Sequence, residues 1–138
     1  MLRLDRRLGH MKTLEVHEKG WSQFCRKIEE FCRGAIISIE LHDAQGAKTA
    51  IAHDVPLRAL GLVDEKESCN TNLVIEAGLP DQKPVRHVII EPIHIRLRNG
   101  NGGDRYNRLQ ISAENGTTTV DLHPGLNQEL LKQLGLAS

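Results

Sequence analysis

The chain has 138 residues, a net charge of zero from 18 basic and 18 acidic side chains, three cysteines and an aromatic content of only 3%. That length is typical of one domain with a self-sufficient core. Zero net charge argues against a general nucleic-acid binder, and no apolar run approaches the roughly 18 residues of a membrane span.

The cysteines indicate a reducing compartment. Cys25 and Cys32 lie seven residues apart in a helical segment, which separates their α-carbons by about 10.5 Å. A disulfide needs less than about 7 Å. We therefore predict three reduced thiols and a cytoplasmic location, because reducing compartments keep thiols free. Residues 1–10 contain arginines but no apolar run of the kind found in a secretory signal.

The first predicted element is an amphipathic helix over 21–33. Apolar residues recur at spacings of three and four, as one helical face requires; they are Trp21, Phe24, Cys25, Ile28, Phe31 and Cys32. Gly34 follows the last of them and is typical of a left-handed helix end. We predict that this helix anchors the core by packing on a sheet.

After Gly34 the apolar period changes to two, which predicts strands. The first strand covers 37–41 and the second covers 48–54, with an extension over 57–63 beyond Pro56. A third strand is centred on 73–75. Asn115-Gly116 lies between two alternating segments and predicts a hairpin, since Asn-Gly favours the tight turns that join antiparallel strands.

Residues 85–98 change character at Pro92. Val88, Ile89 and Ile90 are apolar on both faces of a strand, which indicates a buried strand. After Pro92, apolar and polar residues alternate as in a half-exposed strand. We predict a bend or bulge at Glu91-Pro92.

These elements predict an α+β fold. No helical crossover separates the strands, so parallel pairing has no connection to use. We expect an N-terminal amphipathic helix packed on a bent, mainly antiparallel sheet of five to six strands or a small barrel, followed by a short C-terminal helix. Residues 1–12 form a disordered leader, 13–123 a single α+β domain and 124–138 a helical tail.

Several short motifs resemble a family of small bacterial proteins known only as a domain of unknown function. They are the Trp21-x-x-Phe24 helix, Gly34-Ala35-Ile36-Ile37, Pro56-Leu57, His87-Val88-Ile89 with Glu91-Pro92, and Asn115-Gly116-Thr117-Thr118-Thr119. The resemblance spans about residues 13–122. It implies a fold and no activity, since no activity is assigned to that family.

His87 and Glu91 are the candidates for a polar pocket. Both fall on an otherwise apolar strand face, about 13 Å apart by strand rise. A polar group is costly on such a face unless it is hydrogen-bonded. We expect either a satisfied structural pair or a small pocket under the helix. No motif for a catalytic group, a cofactor or a metal ion accompanies them.

A basic face is predicted on the last alternating strands; its residues are His94, Arg96, Arg98, Arg105 and Arg108. Such a stripe suits a phosphate backbone. The alternative is a solvated face balanced by Glu76 and Glu114. Few aromatic residues are available for base stacking, so nucleic acid is the less favoured partner.

The C-terminal tail predicts an amphipathic helix that carries the leucines Leu126, Leu130, Leu131 and Leu134. These leucines need a partner surface or must fold back on the chain's own core. The leading hypothesis is a non-catalytic binding or assembly module that acts as a homo-oligomer or with a protein partner. The alternatives are a small-barrel nucleic-acid binder and a hydrolase with a pocket near His87 and Glu91.

Overall fold

The computed structural model describes residues 12–67, 69–99 and 105–135. Eight strands form one antiparallel sheet. Their bounds are β1 (Thr13–Val16), β2 (Ile36–Asp43), β3 (Lys48–Glu65), β4 (Asn70–Ala77), β5 (Val85–Ile90), β6 (His94–Arg98), β7 (Tyr106–Ala113) and β8 (Gly116–Leu126). The sheet order is β1-β6-β7-β8-β2-β3-β4-β5. The predicted leader lies outside the described residues except for Lys12.

The α+β class and the antiparallel pairing are confirmed, but the strand count of five to six is wrong and the sheet is not closed. Two features account for the difference. β1 precedes the helix and has only four residues with one buried side chain, Val16, so it leaves little periodic signal. Residues 85–98 are two strands rather than one bent strand. β5 pairs with β4, whereas β6 pairs with β1 and β7.

Helix α1 (Trp21–Cys32) follows a short 3₁₀ turn at Glu18–Gly20. Its predicted apolar face is buried except for Phe31, which packs against the core while remaining partly exposed. The Trp21 indole Nε1 donates to the Val16 carbonyl at 2.9 Å. Gly34 adopts the predicted left-handed conformation, with φ of 89°.

The helix and two residues that follow its C-terminal end hydrogen-bond to the backbone of β3. Leu57 donates to the Ala35 carbonyl, and Gly34 donates to the Leu57 carbonyl, both at 2.9 Å. Glu29 Oε1 accepts the Leu60 backbone N–H at 2.9 Å. These contacts satisfy backbone groups that would otherwise be left unpaired where β3 packs against the helix.

β3 has 18 residues and belongs to both halves of the sheet. β2 pairs with its first half as far as Pro56, and β4 pairs with its second half from Leu57 onward. Within the first half Ser38 faces two residues, His53 and Asp54, which makes a β-bulge. A bulge bends the strand that carries it. The sheet therefore curls, and one core forms between its halves and α1.

The C-terminal tail folds onto this core. β8 continues to Leu126, so the expected boundary at 124 falls inside a strand. Helix α2 (Gln128–Gln133) follows and is capped by Asn127, whose Oδ1 accepts the Leu130 N–H at 2.9 Å. The positive φ of Gly135, 77°, is consistent with the predicted helix end.

Candidate functional site

β5 places an apolar strip at the end of the sheet. Its residues alternate, with His87 and Ile89 turned inward and Arg86, Val88 and Ile90 turned outward. Val88 is 37% exposed and Ile90 is 56% exposed. The run from Val88 to Ile90, which predicts a buried strand, is therefore open on its outer face.

On the outer face of β4 the apolar strip continues only at Val74, which is 8% exposed, and Asn72 and the Arg86–Glu76 ion pair flank it. Val88 lies opposite Val74 of β4, and Val74 lies opposite Gly61 of β3. In the next row, Ile90 lies opposite Asn72. Large exposed apolar patches on a soluble protein mark interaction sites more often than single exposed residues do.

The two edges of the sheet differ in protection. At β1, the Trp21 indole donates a hydrogen bond to the Val16 carbonyl. At β5, the backbone of residues 85–90 makes no hydrogen bond to a described residue other than those of β4. An unprotected apolar edge is a template for pairing with another chain. β5 is therefore the open edge of the sheet.

A cleft of about 470 Å³ lies at the end of β5. Two turns form it, the β5–β6 turn and the β7–β8 turn. Its lining residues are Ile90, Glu91, Ile93, Glu114 and Asn115. Ile93 is 54% exposed. Two carboxylates and two isoleucines, with no basic residue among the described residues that line the cleft, favour an aliphatic side chain that ends in a positive charge.

The structure places His87 and Glu91 at two neighbouring cavities, which share Ile90 and Asn115 among their lining residues. Glu91 has φ of 49°, which ends the strand alternation and turns its side chain into the large cleft. His87 lines a separate cavity of about 70 Å³, and its Nε2 lies 3.0 Å from Thr118 Oγ1. Burial lowers the pKa of His87, which favours the neutral ring.

Four members of the basic face lie on β6 and β7 as predicted, but its acidic partners are different. Glu15 of β1 binds both His94 and Arg96, at 2.9 Å and 2.6 Å. Burial opposes the charged form of Glu15, but hydrogen bonds from His94 and Arg96 outweigh it and lower the pKa of its carboxyl. Arg108 binds Asp121 at 2.9 Å. Two carboxylates therefore pair with two of the four arginines of this face, and Arg98 and Arg105 leave it net positive.

Among the described residues, the remaining arginines of that face, Arg98 and Arg105, lie next to backbone groups or another arginine rather than carboxylates. Arg105 Nη1 donates to the Gly125 carbonyl at 3.2 Å. Arg98 lies directly opposite Arg108, and its Nε is buried with no hydrogen-bond partner among the described residues. Glu76, an expected partner of the face, pairs instead with Arg86 at 3.5 Å.

The candidate leucines of the tail pack against the hydrophobic core of their own chain. Leu126 and Leu131 are buried in the core, and Leu130 and Leu134 pack against it while partly exposed. This arrangement matches the alternative in which the tail folds back. Leu126 belongs to β8 rather than to the C-terminal helix.

The His53-Asp54 pair, a type of dipeptide that can serve in metal binding or general base chemistry, meets Ser38 at the bulge. Ser38 Oγ accepts the Asp54 N–H at 3.0 Å and lies 3.5 Å from His53 Nδ1. Asp54 has φ of 48°, an uncommon conformation that this cap supports. His53 and Asp54 are largely exposed. A catalytic serine needs a site that excludes water and positions a substrate, so we interpret the cluster as a structural cap.

The three thiols are free, and we expect only one to react in the folded protein. Burial raises the pKa of Cys25 to about 12 and that of Cys32 to about 11, so neither forms thiolate near neutral pH. Cys69 is exposed. A disulfide-exchange reagent at pH 8 should modify one thiol per native chain and three per denatured, unreduced chain. Fast modification of two or more native thiols would contradict this burial.

No helix within the described ranges is long and apolar enough to cross a membrane. Across the same ranges, no three His, Cys, Asp or Glu side chains form a group that could hold a metal ion. The comparisons with known proteins give no relative, since no family model, curated protein or solved structure matches the chain. The resemblance to the small bacterial family stays a prediction.

Proposed function

We propose that the protein is a non-catalytic assembly module that self-associates through the open edge of β5. One observation carries the proposal. The run from Val88 to Ile90 has the apolar pattern of a buried strand, yet it occupies an edge strand and exposes Val88 and Ile90. A partner that covers this edge would bury both side chains and pair the free backbone groups.

A second copy of the chain is the partner that the charges favour. The chain is neutral, so two copies approach without net repulsion, and a net charge near zero promotes association. Most soluble oligomers are homo-oligomers with closed symmetry, and a two-fold interface uses the same patch on both subunits. An edge strand meets that condition because an antiparallel pair of identical strands is self-complementary.

The other two candidate functions have weaker support. Arg96 and Arg108 of the basic face are held in ion pairs with carboxylates, which reduces the field that a phosphate backbone would meet. His87 is hydrogen-bonded to Thr118 and lies in a cavity of only about 70 Å³. That volume is well below the roughly 300 Å³ at which small-molecule sites begin.

Ile90→Lys is expected to weaken self-association by about thirtyfold or more, because central interface residues commonly contribute at least 2 kcal/mol. The measurement is the molar mass by analytical ultracentrifugation across the micromolar range. Ile36→Lys is the matched control, since Ile36 is 39% exposed in β2, away from the β5 edge. A wild-type chain that stays monomeric throughout this range overturns the proposal and leaves a different protein as the candidate partner.

A further inference from the structure

We propose that two copies pair through β5 about a two-fold axis at Val88, which brings Lys83 of each copy to the acidic cleft of the other. This inference rests on the proposed self-association and specifies its register and its charge contacts. Val88 then lies against Val88 of the second copy. Ile90 lies against the aliphatic stem of Arg86, and Arg86 lies against Ile90 in turn.

The proline positions support this register. Pro84 precedes β5 and Pro92 follows it, each four residues from Val88. A two-fold axis at Val88 therefore sets Pro84 of one copy across from Pro92 of the other. Proline has no N–H to donate and is confined to the ends and edges of strands. The paired segment then ends at both sides without placing an unmatched proline inside the ladder.

Neighbouring registers place a proline opposite a residue of β5. An axis at His87 places Ile90 opposite Pro84, which leaves its backbone without a donor there. An axis at Ile89 places Pro92 opposite Arg86 and Glu91 opposite His87, so the proline and the residue with φ of 49° both lie inside the ladder rather than at its end. If the axis lies between two residues instead of at one, each outward-facing side chain of one copy lies opposite an inward-facing side chain of the other.

The charges at the two ends of β5 are complementary. Lys83 is exposed just before the strand, and Glu114 lines the cleft just beyond its other end. Neither forms an ion pair with another residue that the structure describes. Antiparallel pairing joins these ends twice, once at each cleft. The two Arg86 side chains stay about 13 Å apart along the strands, so like charges do not meet.

Disulfide trapping tests the register. In a Cys69→Ser chain, Val88→Cys should form a covalent dimer under mild oxidation, because the two Cα atoms lie within the disulfide limit of about 7 Å. Ile90→Cys is the control, since the two Ile90 positions are about 13 Å apart in this register. The double variant Arg86→Cys with Ile90→Cys should cross-link again.

Each result of the trapping experiment discriminates. Equal cross-linking of the Val88→Cys and Ile90→Cys chains, or none in the Val88→Cys chain, rejects the register while a dimeric wild type keeps the proposed function. A monomeric wild type rejects both. All variants are first checked for native mass and circular dichroism, and Ile36→Cys measures random collision, because Ile36 lies in β2.

Charge exchange tests the cleft. Glu114→Lys and Lys83→Glu should each weaken the dimer by roughly threefold to tenfold, since two symmetric, partly exposed ion pairs are lost at once. The chain with both substitutions should recover wild-type affinity to within about twofold, as a restored pair predicts. Additive weakening in the double variant rejects the Lys83–Glu114 contact without affecting the register test.

Discussion

Replacing Phe24 by alanine is expected to lower the free energy of unfolding by about 3–5 kcal/mol, the usual cost of removing a buried aromatic side chain. Phe24 is 4% exposed and lies in the middle of the core face of α1. Ile28, one turn further along the same face, is fully buried. Loss of the Phe24 ring would therefore leave a cavity on the core face of the helix, next to Val16 and Leu134.

Urea denaturation followed by circular dichroism measures this loss, and Phe31→Ala is the matched control. Phe31 lies on the same helix but remains partly exposed, with the Lys27 ammonium 5.8 Å from its ring centre. We expect Phe31→Ala to cost at most about half as much as Phe24→Ala, because less apolar surface returns to water. Equal losses for the two variants would show that the burial of the helix face is misassigned.

Gly116→Ala is expected to cost about 2–5 kcal/mol, from backbone strain and steric overlap together. Gly116 begins β8 with φ of 149°, and it lies opposite Asp43 of β2. A Cβ atom there would overlap the His42 carbonyl oxygen and lie 3.0 Å from Asp43 Cα. Relief of that overlap requires the end of β2 to move away from the start of β8, which disrupts the end of a central strand pair.

Gly46→Ala separates the steric part of this effect from the conformational part. Gly46 also has a positive φ, 90°, but a Cβ atom there would have no neighbour within 4 Å. It should cost only about 1–2 kcal/mol, the penalty for a left-handed conformation in an L-residue. Thermal and urea midpoints of the two variants give the comparison, and a larger loss at Gly46 than at Gly116 contradicts the close approach of β2 and β8.

The sequence predicts the elements of this fold better than their arrangement. The period of α1 and the Asn115-Gly116 hairpin are local signals, and both are confirmed. β1 could not be predicted with confidence because four residues and one buried side chain carry almost no period. Its pairing with β6 joins residues 79 to 85 positions apart, and no local propensity encodes such a distance.

The candidate site likewise depends on the strand order, which local sequence patterns do not predict. The apolar run Val88 to Ile90 is visible in the sequence, but its place at an edge depends on the strand order. The acidic cleft forms where two turns meet, so Glu91 and Glu114 are not neighbours in any local pattern. The leucine tail illustrates the reverse case, because a stripe that indicates a contact surface is buried partly by its own chain.

The sheet order also determines when each part of the molecule can form. β2 lies between β3 and β8, and Ile36 pairs with His123. During synthesis β2 and β3 can form a hairpin early, whereas one side of β2 must wait for the last strand. Such distant pairings slow folding, because the entropy of closing a long loop is lost before the contacts are gained. A chain stopped before residue 116 would leave both β7 and β2 with a bare edge in the middle of the sheet, and such edges favour aggregation.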